Sequence, residues 1–212
     1  MKGSVDPALA RRGFLRALAL ATLAPWPAGA AERAPTPGEH LDRLLGRRRM
    51  VRRFRPDPVD DRTVRHLIET ATRAPSAGHL QPWGFVVVRD AAVRRDLGRA
   101  AFDQTWLADA PVCIVACADP SRARRRYGQR AERYAVIDTA FASMLLLLAV
   151  TDLGLGACFV GAFDDAQVRR VLALPREIQP LAVIPVGHPA ETPAVKNRRP
   201  LAGVVHRERW GR

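Results

Sequence analysis

The run from Tyr134 to Leu153 constrains this chain most. It holds Phe141-Ala142-Ser143-Met144-Leu145-Leu146-Leu147-Leu148, with Asp138 near its start. Its apolar part is too short to span a bilayer. A helix that is apolar on every side must be buried on every side. The run therefore belongs at the centre of a core, at a subunit interface, or both. Gly154 and Gly156 stop it.

A chain of 212 residues that is 48% hydrophobic can build one compact domain around such a helix. The surrounding patterns are shorter. Glu39 to Gly46 is a short helix candidate. Asp60 and Asp61 place acids at the start of a second helix, in which Val64, Leu67, Ile68 and Ala71 recur at i, i+3, i+4 and i+7 and which Pro75 ends. Phe85-Val86-Val87-Val88 and Val112 to Ala118 read as buried strands. Ala91 to Ala101 is a polar helix, and Asp164 or Asp165 caps another that runs through Leu174. Ala157 to Gly161 is a short strand or extended turn, and Leu181 to Val186 is the last core strand. The basic tail from Lys196 carries Val204, Val205 and Trp210, anchors expected to dock on something. Helices and strands alternate through short, uneven connections. No G-x-G-x-x-G follows the first strand, which argues against a dinucleotide-binding Rossmann unit.

The net charge of +13 favours anionic partners: a phosphorylated cofactor, nucleic acid or an acidic surface. An arginine-rich composition spread over solvated faces gives the same number. The runs Arg47 to Arg55 and Arg122 to Arg126 could serve a nucleic-acid-binding module. However, aromatics are only 6% and no helix-turn-helix or zinc pattern is present. The spacing of Cys113, Cys117 and Cys158 fits no metal or redox motif, so they read as small buried hydrophobes.

Two stretches carry chemistry. In Arg47-Arg48-Arg49-Met50-Val51-Arg52-Arg53-Phe54, Arg48 and Arg52 lie four apart, and guanidinium forks suit phosphate oxygens. In Ala74-Pro75-Ser76-Ala77-Gly78-His79-Leu80-Gln81-Pro82-Trp83, Ser76, His79 and Gln81 offer hydroxyl, imidazole and amide groups. Ala77 and Gly78 permit close backbone approach to a flat ligand. Nothing resembles a nucleophile paired with a base, and no His-Glu-x-x-His or cysteine pair indicates a metal.

These stretches, with Gly154-Leu155-Gly156-Ala157-Cys158-Phe159-Val160-Gly161-Ala162-Phe163 and Lys196-Asn197-Arg198, resemble the FMN-dependent nitroreductase family in order and spacing from about Glu39 to Trp210. The resemblance implies an α+β fold, a central mixed or antiparallel sheet flanked by helices, in an intertwined homodimer. It places Arg48, Arg49 and Arg52 at the FMN phosphate and ribityl chain, with Met50 where the family has serine. Lys196 and Arg198 would close on the phosphate. Pro75, Ser76, Ala77, Gly78, His79 and Gln81 would line the flavin from the second subunit. Val160, Gly161 and Ala162 would bring backbone N–H groups to flavin N5, and Gln104 would lie near the pyrimidine ring. The implied activity is ping-pong hydride transfer from NAD(P)H through FMN to nitroaromatics, quinones or other flat small-molecule acceptors, without stable membrane insertion. His79 replaces the usual asparagine and also occurs in the iodotyrosine deiodinase branch. A dehalogenating or flavin-fragmenting specialisation therefore stays open, with Ser121 to Arg133 as the candidate lid.

The N-terminus reads separately. Arg11-Arg12-Gly13-Phe14-Leu15-Arg16, an apolar run from Ala17 to Ala24, and Ala28-Gly29-Ala30-Ala31 have the layout of a twin-arginine export signal over residues 1–31. Its removal takes four basic residues (Lys2, Arg11, Arg12, Arg16) and one acid (Asp6), so the charge falls from +13 to about +10. Residues 32–38 read as a linker and 39–212 as the FMN-binding domain. An exported location is the expectation, a cytoplasmic one the alternative.

Overall fold

The computed structural model describes residues 36–211; the expected export signal, 1–31, lies outside them. Pro37–Arg212 form one compact unit. It opens with α1 (Pro37–Arg47), two residues ahead of the expected start. Proline suits the first helical turn because its missing N–H would have had no partner there.

The sheet is built around β2 (Val112–Ala118), which is buried along its whole length. Successive side chains in a strand point to opposite faces, and β2 uses both. Val112, Ile114 and Ala116 pack with Val64 and Leu67 of α2 (Asp61–Ala71) and Ala142 and Leu146 of α5 (Ala131–Asp152). Cys113, Val115 and Cys117 pack with Leu97 of α3 (Ala91–Ala100) and Val168 of α6 (Asp165–Val171). Helices thus cover both faces, and the expected α+β class holds.

β1 (Trp83–Val88), β2, β4 (Gln179–Gly187) and the two-residue β3 (Gly156–Ala157) lie in the order β1-β2-β4-β3, all paired antiparallel. Val115 is the register point, opposite Val86 on one side and Val183 on the other. β1 was expected as a buried strand. It is an edge strand instead, with Val88 buried and Val87 exposed.

Side-chain caps set the helix starts. Asp60 accepts from Thr63 N–H at 2.6 Å, Asp90 from Ala92 and Val93, and Asp164 from Gln167. These hydrogen bonds hold all three carboxyls below their usual range. Two helices end sooner than expected. α2 stops at Ala71, with Thr72 turned back onto Glu69 O, and α6 stops at Val171, before Ala173 enters the left-handed region at φ 50°.

Within its own chain α5 is buried on one side. Ala135, Ala142, Ser143, Leu146 and Val150 are buried, while Ile137, Phe141 and Met144 form an exposed stripe at i, i+4 and i+7. The helical stretch 121–152 contains an 18-residue segment apolar enough to cross a membrane, but half of that segment is buried inside the protein. Gly154, at φ 71°, ends the helix in a conformation that glycine adopts without strain. After β4 the tail lies open, with Val204, Val205 and Trp210 exposed, so its expected anchors do not dock on their own chain.

Two substitutions test the packing. Leu146→Ala, at a fully buried position, should lower the unfolding free energy by about 2–5 kcal/mol in urea titration. At Gly187 a Cβ would fall 2.6 Å from Pro111 Cδ and 3.1 Å from Phe54 Cδ1. Gly187→Ala should therefore cost about 1–3 kcal/mol through overpacking.

Candidate functional site

The arginine segment leaves α1 in extended conformation and lies against the glycine loop. Val51 N–H donates to Ala157 O at 2.9 Å, and Met50 forms an isolated parallel bridge with Ala157. Val51 and Phe54 are buried, whereas Arg52 and Arg53 between them are exposed. Arg48, Arg49, Met50, Arg52, Lys196 and Arg198 line one cavity of about 390 Å³ with Pro193, Ala194 and Val195. The residues assigned to the phosphate by resemblance therefore converge, although Lys196 and Arg198 lie about 145 residues beyond the first cluster in a chain whose compactness brings them together.

The cations in this cavity are not equivalent. Arg48 Nη1 is buried and has no hydrogen-bond partner among the described residues. A buried donor left unpaired is costly and asks for an acceptor. Arg49 Nη1 is already engaged, donating to Gly46 O at 2.6 Å and to Arg48 O at 2.9 Å. These bonds place a positive charge at the carbonyl end of α1, where it is favoured. Arg52 lies over the Trp106 ring, 5.8 Å from its centroid. Glu191 holds the backbone beneath, accepting from Arg52 N–H at 2.6 Å and Arg53 N–H at 3.1 Å, and these bonds lower its carboxyl pKa. An anion with several acceptor oxygens fits this set: it would satisfy Arg48 and balance the local positive charge.

The glycine loop is tied to the same segment. Met50 Sδ, where the resemblance expects a serine hydroxyl, accepts the N–H of Phe159 at 3.4 Å. Val160 was expected to offer its N–H to a flavin, but that group donates to Val183 O at 3.0 Å. The N–H groups of Gly161 and Ala162 carry no hydrogen bond among the described residues, and both residues are exposed. Gln104 Nε2 reaches Ala162 O at 3.3 Å, so the structure brings Gln104 to this loop.

The turn Pro75–Gln81 does not line the cationic cavity. It packs against the end of α4 (Ser121–Tyr127). A Cβ on Gly78 would fall 2.7 Å from both Arg126 Nη1 and Tyr127 Oη, so those side-chain ends would have to shift, and at φ 58° glycine avoids the strain of a side chain. His79 and Gln81 also have positive φ, and Gln81 Nε2 donates to His79 Nε2 at 2.9 Å. Ser76 Oγ accepts Gln81 N–H at 3.0 Å, so the serine shapes the turn.

Trp106, Glu191 and Asp138 were not assigned roles from the sequence, and Arg126 and Tyr127 entered only as part of the basic run and the candidate lid. Asp138, the early charge in an apolar helix, was the one visible signal; the others gain meaning only from contacts distant in sequence. The thiols are chemically quiet. Burial pushes Cys113 up to about 12 and Cys117 to about 11, and raises Cys158 as well.

Residues 45–107 and 98–188 match the Nitroreductase family. The chain is 37% identical over 187 residues to an NADH dehydrogenase of Thermus thermophilus, covering 75% of this chain and 91% of that protein. It is 30% identical over 175 residues to the oxygen-insensitive NADPH nitroreductase of Salmonella typhimurium, covering 79% and 73%. The structure of the NADPH:FMN oxidoreductase of Vibrio harveyi complexed with NAD+ aligns with a TM-score of 0.74 at 27% identity, over 81% of this chain and 78% of that one. The match runs from the arginine segment through the turn, the sheet and the glycine loop, and this chain belongs to the nitroreductase family.

Proposed function

We propose that this protein is an FMN-dependent oxidoreductase that takes hydride from NAD(P)H and delivers it to nitroaromatics, quinones or similar flat acceptors. The observation that carries the reading is the cation-lined cavity with the unpartnered Arg48 Nη1 inside it. The names of the Salmonella and Vibrio relatives, which specify NADPH, FMN and nitro reduction, support it. FMN, when bound, supplies the hydride relay between reductant and acceptor.

The chain's own contribution is binding, orientation and charge. Arg48, Arg52, Lys196 and Arg198 would hold the phosphate. Arg49 supports the segment by occupying the carbonyls at the end of α1. Met50 fixes the glycine loop through Phe159 N–H, leaving the Gly161 and Ala162 amides as free donors for the isoalloxazine edge. Gln104 buttresses that loop at Ala162 O.

The same reading makes the protein a homodimer in which Pro75, Ser76, Ala77, Gly78, His79 and Gln81 serve the partner's cofactor. Two observations support this: the turn is absent from its own chain's cavity, and Ile137, Phe141 and Met144 are left uncovered on α5. Export through the twin-arginine route is proposed on the sequence of residues 1–31 and suits a protein that binds its cofactor before transport.

Purified protein should be yellow, or take up added FMN, and be bleached anaerobically by NADH or NADPH. Initial rates against both substrates should give parallel double-reciprocal lines. A colourless protein that takes up no FMN would overturn the reading. Arg48→Ala should raise the FMN dissociation constant about thirtyfold, matching the ~2 kcal/mol of a charge-assisted hydrogen bond. Binding of riboflavin, which lacks the phosphate, should not change.

A further inference from the structure

Asp138 has no part in the reading above. It lies on the inner face of α5 at 5% exposure, in a helix whose other inward residues are apolar or small. Its carboxylate accepts the N–H of Ala77 at 3.0 Å, 61 positions earlier in the chain. No cation among the described residues holds it, and burial raises its pKa against the effect of that single hydrogen bond. A carboxylate is expensive to bury with one donor, and an apolar residue would serve packing better.

The turn that Asp138 touches is itself costly. Gly78, His79 and Gln81 all have φ between 51° and 58°, and the last two pay a steric penalty there. Such a conformation persists only where the surroundings over-determine it. Ser76 Oγ, accepting Gln81 N–H, closes the turn on itself. The bond from Ala77 N–H to Asp138 fastens it to the body of the protein. The third side is the end of α4, where Tyr127 lies edge-on to Tyr134, one helical turn before Asp138, with ring centroids 5.0 Å apart.

We propose that Asp138 is a positioning residue for the cofactor: by accepting Ala77 N–H it anchors the Ser76–Gln81 turn to α5 in the shape that meets FMN. The inference rests on the flavoprotein reading for the identity of the ligand, but not for the anchoring itself. Asp138 touches no reacting atom. Its effect passes through the backbone of the turn, so it should govern cofactor affinity rather than reductant specificity.

The experiment compares full-length parent, Asp138→Ala, Asp138→Asn and Ala77→Pro by two measurements. One is amide hydrogen exchange over residues 74–83 in cofactor-free protein, followed by mass spectrometry. The other is FMN affinity from quenching of flavin fluorescence. Asp138→Ala should speed exchange in this segment and raise the FMN dissociation constant about tenfold. Asp138→Asn keeps an acceptor oxygen and should stay within about threefold of parent in both. Ala77→Pro removes the donor from the other side; Ser76 is extended at φ −143° and ψ 149°, a conformation that tolerates a following proline. It should weaken FMN as Asp138→Ala does and add nothing to it in the double variant. Ala77→Pro decides the matter if Asp138→Ala does not fold. Unchanged exchange, or parent-like FMN affinity in Asp138→Ala or Ala77→Pro, would overturn the proposal, as would equal loss in Asp138→Asn and Asp138→Ala. If the parent binds no FMN, the flavoprotein reading and the cofactor half of this proposal fall together, and the exchange measurement alone decides whether Asp138 anchors the turn.

Discussion

The fold depends on β2 being buried on both faces. A strand with water on one side needs apolar residues at alternate positions only; β2 has none to spare, and Val112 to Ala118 are apolar or small throughout. That requirement fixes helices on both sides of the sheet: α2 and α5 over Ile114, α3 and α6 over Val115. Once α5 lies on one face, it runs across all four strands. Its C-terminal end then delivers the chain to the glycine loop, while Asp138 near its other end reaches the Ser76–Gln81 turn. The two segments proposed to meet the flavin are thus both set by one helix. They need not be near each other in a single chain.

The charge has a comparable economy. A cluster such as Arg47–Arg53 would repel itself if every guanidinium pointed the same way. The structure distributes them instead. Arg49 occupies helix carbonyls, Arg52 lies over Trp106, and Arg53 pairs with Glu191 at 3.3 Å. Among the described residues, Arg48 Nη1 is the atom of this cluster left buried without a hydrogen-bond partner. The surface pair to Glu191 adds little stability by itself, being largely exposed on the arginine side. Its carboxylate matters more as the acceptor that holds the Arg52 and Arg53 backbone N–H groups.

Most of the fold was legible because its signals are local. The apolar spacing of Val64, Leu67 and Ala71, the cap at Asp60 and the unbroken run of β2 each report on a few neighbouring residues. The edge position of β1 was not legible, since burial of Phe85–Val88 depends on whether a further strand pairs with it. At the site, the residue types were legible and their roles only in part. That Arg49 turns back to Gly46, and that Val160 gives its N–H to Val183, follow from backbone paths set by partners dozens of residues away. Met50 shows how a sequence departure can be absorbed: a thioether does for Phe159 N–H what an oxygen would do elsewhere.

The three buried cysteines have a consequence for where such a protein can work. Cys113 and Cys117 lie on the same face of β2 four residues apart, about 13 Å along a strand and well beyond disulfide reach. All three thiols are free and held in the protonated state by burial, which denies oxidants the thiolate they attack. No cross-link builds this core and none threatens it. The same packed structure can therefore mature in a reducing compartment and persist in an oxidising one, so crossing from one to the other imposes no redox penalty on the fold.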